Sequence, residues 1–74
     1  MKHQWCISTD WRGPADGEEW HVAADYDAAF AALQDRIAER RIPHNPYNRF
    51  VIKDDKTVVD FGSHTLFGVI KEVV

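Results

Sequence analysis

The chain has a single cysteine, only four glycines and three prolines, no apolar run of membrane-spanning length and no excess of positive charge. Each shortage excludes something. Cys6 alone can form no internal disulfide, and nothing in the cysteine usage points to an oxidising compartment. No stretch approaches the roughly 20 apolar residues of a transmembrane helix. Met1 to Trp5 leads directly into strand-like sequence without the apolar segment of a secretory leader, so a cytoplasmic protein with no membrane association is expected. Gly13 and Gly17 lack the spacing and the following helix of a phosphate-binding loop. No repeat, low-complexity tract or linker interrupts the chain, so residues 1–74 are read as a single α+β domain.

What is present is aromatic: three Trp, four Phe and two Tyr in 74 residues. A chain this short lies near the lower size limit for folding without disulfides or metals, so those rings must supply much of the core.

The segment from about Asp25 to Arg41 carries every signal of an amphipathic helix. Asp25 can cap the first turn, and Asp27 lies at the positive end of the helix dipole. Tyr26, Phe30, Leu33 and Ile37 fall on one face. Arg40 and Arg41 load the last turn with cations, and Pro43 prevents continuation.

Strand patterns flank it. Lys2 to Ser8 alternates with Trp5 and Ile7 inward and Cys6 and Ser8 outward. Thr9 to Gly17 is a loop with two turn signals, Gly13-Pro14 and Asp16-Gly17. Glu19 to Ala23 reads as a second strand with Trp20 and Val22 inward, hairpin-paired to the first. Arg49 to Lys53 and Thr57 to Phe61 form a second hairpin about Asp54-Asp55-Lys56, with Phe50 and Ile52 sharing a face. The tail from His64 to Val74 has two readings: a strand, or a helix capped by Ser63 with Leu66, Phe67, Ile70 and Val73 on one side. Gly68 and the β-branched residues favour the strand. The expectation is a small antiparallel sheet, order β-β-α-β-β-β, with one helix on one face.

Catalytic and metal chemistry find little support. His3, Cys6, His21, His44 and His64 are potential zinc ligands, but structural sites use close-spaced pairs. His3 and Cys6 would project from opposite faces of a strand, and Cys6 with His21 across the hairpin gives only two ligands. Asp60, Ser63 and His64 are the residue types of a triad, yet they lie in one turn and cannot readily adopt its geometry. A domain this small also has little room for a desolvated pocket. No cofactor is implied, and the expectation is a non-catalytic protein.

Charge is unevenly spread. Asp10 to Asp35 holds seven acids and one base, whereas Arg36 to Lys56 holds six bases and three acids. Acids at a helix start and bases at its end complement the dipole, which accounts for part of this. The remainder suggests an acidic surface that meets a basic protein. Trp11 and Arg12, outside either strand pattern, are the residue types of binding anchors, with Glu18, Glu19, Asp25 and Asp27 as steering charges. Small domains of this composition are frequent among bacterial and phage accessory proteins, so an inhibitor or adaptor of a basic nucleic-acid-handling or defence complex is one expectation. Arg40, Arg41, Tyr47 and Arg49 form an alternative RNA- or DNA-binding stretch, against which the pI near 5.7 and the acidic first half both weigh. The unblunted first strand and tail, with Val69, Ile70, Val73 and Val74, could also pair with a second copy at a sheet edge.

Overall fold

A computed structural model describes residues 1–45 and 47–73. The elements follow in the order β1 (His3–Ser8), β2 (His21–Ala23), α1 (Tyr26–Glu39), β3 (Arg49–Lys53), β4 (Lys56–Asp60) and β5 (Phe67–Glu72). The five strands make one antiparallel sheet, ordered β2-β1-β5-β4-β3. The tail is a strand as expected, but it is inserted at the centre of the sheet rather than at its edge. Val69 and Ile70 are buried there, so they offer nothing to a second copy; the edges are β2 and β3. Val74 lies outside the described residues.

Helix α1 forms where its signals are. Asp25 is the cap, its Oδ1 accepting from the Ala28 N–H at 2.8 Å. The end comes at Glu39, two residues earlier than the charge pattern suggests. Arg41 adopts a left-handed backbone (φ 53°), its N–H donates to Ala38, and the Ile42 N–H donates back to Ile37. These paired bonds are the Schellman arrangement, which satisfies the last carbonyls and turns Ile42 onto the core. Ala29, Leu33 and Ile37 form the buried stripe, with Tyr26 and Phe30 at its margins.

The helix lies on β1, β5 and β2; Trp5 and Ile7 of β1, Ile70 of β5, Val59 of β4 and Phe61 just after it complete the core. Gly68 makes this close approach possible. A β-carbon there would collide with Leu33 Cδ2, so the bare backbone is the notch that seats Leu33.

The first hairpin, β1 with β2, departs from the sequence reading. Trp5 pairs directly with His21, and the two rings stack at 4.5 Å. His21 and Ala23 therefore share the helix side, and Val22 points away from the helix and is exposed. The inward pair expected from sequence, Trp20 and Val22, is one residue out of phase with this register, and a one-residue slip exchanges the two faces. Cys6 and His21 consequently lie on opposite faces and cannot meet.

Cys6 and Ser8, expected to face solvent, are completely buried. The long β1–β2 loop covers them. Trp11 packs edge-on against Phe67 (5.7 Å between centroids), and the Lys71 ammonium lies over Trp20 (5.0 Å). The sheet thus has a core on both sides: helix on one, a tryptophan-bearing loop on the other. Burial pushes the Cys6 thiol up to about 12, making it a small apolar filler rather than a nucleophile.

Candidate binding surface

Edge strand β3 is the part of the sheet that neither cover closes over; the helix meets it only at Phe50 and the Trp11 loop at Lys53. All five of its residues are exposed, including Phe50 (51 %), Val51 (55 %) and Ile52 (74 %). Only Phe50 touches the helix, ring to ring with Phe30 at 5.6 Å. Tyr47, just before the strand, is 84 % exposed.

The backbone of β3 is half-used in a regular way. Lys53 pairs with Lys56 across a two-residue turn, where Asp54 takes φ 58°. The pair closing such a turn is hydrogen-bonded, and bonded and non-bonded pairs then alternate. Val51–Val58 and Arg49–Asp60 are therefore bonded pairs. Phe50 and Ile52, opposite Val59 and Thr57, point their N–H and C=O groups out of the sheet. An extended segment can hydrogen-bond to these four groups.

Beside the strand, on the side away from the helix, lies Trp11. Ser8 builds its loop: Ser8 Oγ accepts from the N–H groups of Asp10 (3.2 Å) and Trp11 (3.0 Å) and donates to Asp10 Oδ1. Asp10 Oδ1 in turn accepts from the Arg12 N–H at 3.0 Å, which holds the Asp10 carboxyl below its ordinary range. These bonds maintain Trp11 in a left-handed backbone (φ 66°), a conformation that costs an aromatic residue about 1–2 kcal/mol. The Lys53 ammonium sits 4.1 Å from the Trp11 ring centroid. Trp11 is half-buried, and its Nε1 has no hydrogen-bond partner among the described residues.

Two clefts border Trp11. One, of about 260 Å³, is lined by Trp11, Val51, Lys53, Val58, Asp60 and Phe67 and is largely apolar. The other, of about 540 Å³, is ringed by Thr9, Asp10, Arg12, Lys53, Asp54 and Lys56. It is roomier than expected for so small a domain, but its rim of exposed charged side chains leaves it wet. Among the described residues, no group of three His, Cys, Asp or Glu side chains could hold a metal ion.

The sequence-selected binding residues do not converge. Trp11 and Arg12 line the larger cleft. Glu18 is turned inward, its side chain 6 % exposed, and its carboxylate is bound by Arg36 (3.1 Å) and Arg40 (2.9 Å). Its charge is neutralised within the fold and cannot steer a partner; in place of the steering role expected from sequence, Glu18 ties the loop to the last turn of α1. Asp25 and Asp27 are at the opposite end of that helix, about 20 Å away at 1.5 Å per residue. Glu19 is exposed. Of the alternative basic set, Arg40 is committed to Glu18, while Arg41, Tyr47 and Arg49 are exposed.

Phe50, Val51 and Ile52 were not selected from sequence as binding residues. A signal was there: three consecutive apolar residues leave neither strand face polar, so each face needs its own cover. The flanking Arg49 and Lys53 are the cations that commonly guard such edges.

Comparisons with protein-family models, curated proteins and solved structures return no match to this chain. No helix among the described residues is long and apolar enough to cross a membrane.

Proposed function

We propose that the chain is a non-catalytic protein-binding module that acts by adding a partner's extended segment to the open edge of β3. The supporting observation is that all five residues of this strand are exposed, three of them large and apolar in succession. A monomeric domain ordinarily blunts such an edge or covers it. Strand addition gives affinity through main-chain hydrogen bonds and selectivity through alternate side chains. The Trp11 clefts border the far face of β3 and supply an aromatic wall for one of those side chains. This reading keeps a protein as the partner but moves the contact from the dispersed acids to β3. It also places the chain in the cytoplasm, where a lone buried thiol needs no partner.

The test is a paired capture from cell extract with wild type and Ile52→Pro as bait. The Ile52 N–H points out of the sheet, so proline there removes one edge donor without breaking the β3–β4 ladder. A protein retained by wild type and lost with Ile52→Pro, while far-UV circular dichroism is unchanged, supports the reading. Identical sets on both baits contradict it.

A further inference from the structure

The charges on β3 bear on what the edge would take, given that it is a pairing site. Arg49, Val51 and Lys53 project on the side away from the helix, and Phe50 and Ile52 project on the helix side. Arg49 and Lys53 thus bracket the apolar centre from the same face as the Trp11 cleft.

A second copy of β3 is a poor occupant. Full antiparallel overlap would place Val51 opposite itself and Phe50 opposite Ile52, which is favourable. It would also place Arg49 opposite Lys53 twice, and like charges directly across a strand pair destabilise it. Shifting the register to bring Asp55 of the second copy opposite Arg49 draws the Asp54-Asp55 turn into the ladder and leaves only three strand residues in register.

We infer that β3 receives an extended segment of another protein in which acidic residues flank three apolar ones. The two acids face Arg49 and Lys53. The central apolar residue lies against Val51 and the cleft walled by Trp11, and its two neighbours lie against Phe50 and Ile52 on the helix side. The inference rests on the strand-addition reading and narrows it to one chemistry.

Fluorescence anisotropy with two labelled peptides tests it on the full chain at low salt. One has the core glutamate–isoleucine–valine–isoleucine–glutamate; the other carries lysine in place of each glutamate. The glutamate peptide should bind about tenfold more tightly, since two attractive pairs replace two repulsive ones. The double variant Arg49→Glu with Lys53→Glu should reverse the preference, an outcome that mere loss of folding cannot imitate. Equal binding of both peptides, abolished by Ile52→Pro, overturns the acidic preference and leaves strand addition standing. Failure of both peptides, with wild type sedimenting as a dimer that Ile52→Pro dissociates, overturns it in favour of a second copy. Peptide binding untouched by Ile52→Pro overturns both the inference and the strand-addition reading, as does failure of both peptides on a monomer.

Discussion

The two edges of the sheet are built differently. β2 has three residues, is flanked by the loop that carries Trp20, and has helix α1 packed against it. β3 has five, and α1 reaches it only through the Phe30–Phe50 contact. The chain passes from one edge to the other through α1 and residues 40–48, so the same helix that covers β2 delivers β3 uncovered. The comparison teaches that the missing cover is local. Enough apolar surface exists to close both faces of the central strands; β2 exposes one large apolar residue, Val22, whereas β3 exposes three in succession, Phe50, Val51 and Ile52.

Replacing core and rim side chains by alanine is the strongest challenge to this comparison. Leu33→Ala, in the covered half, should lower the unfolding free energy by about 2–5 kcal/mol. Ile52→Ala, at the rim, should change it by less than about 0.5 kcal/mol. Urea unfolding measures both, and a large loss at Ile52 would mean that the rim is structural. Proline scanning sharpens the edge geometry. Val51→Pro deletes a donor to β4 and should cost about 3 kcal/mol or more, whereas Ile52→Pro should cost distinctly less. Equal costs would show that the assignment of inward and outward backbone groups is wrong.

A third comparison sets two glycines against each other. Gly68→Ala forces the Leu33 side chain out of its notch and should cost about 1–3 kcal/mol. Gly13→Ala, in open space at the loop, should be near neutral by the same urea unfolding.

The last effect is absent at neutral pH and emerges only in alkaline solution. The Cys6 thiol ionises at about 12 in the folded chain against 9.0 for the free group. Because the folded value is the higher one, its contribution is complete below pH 9.0 and is lost as pH rises toward about 12. Wild type should therefore lose more stability than Cys6→Ala over that interval. The same burial should keep Cys6 unreactive to iodoacetamide until the chain unfolds.

Much of this architecture can be read from residue patterns alone. Asp25 and the spacing of Leu33 and Ile37 specify the helix, and Arg49 to Lys53 was delimited to the residue because charged positions bracket its apolar run. Strand order could not be read, because period-two alternation says which residues share a face but not which strands are neighbours. Hence the pattern leaves the tail at an edge, whereas it is the central strand. The β2 register failed because Trp20 outranks His21 in hydrophobicity, while the ring of Trp5 selects His21 as its stacking partner. The apolar spacing alone does not mark Ala29, a small residue among bulkier ones, though it is completely buried. Glu18 looked like a surface charge because its partners, Arg36 and Arg40, are 18 and 22 residues away in sequence. For the binding surface, Trp11 is visible as a residue outside both strand patterns; the run Phe50-Val51-Ile52 signals that both faces of β3 need a cover, but not that the helix stops short of it.

Amide hydrogen exchange of the free chain, resolved by residue, tests the central claim most directly. An open β3 edge predicts that the Phe50 and Ile52 amides exchange fast while those of Val51 and Lys53, bonded to β4, exchange slowly. Slow exchange at all four positions would contradict the account, since it would mean that the edge is already covered.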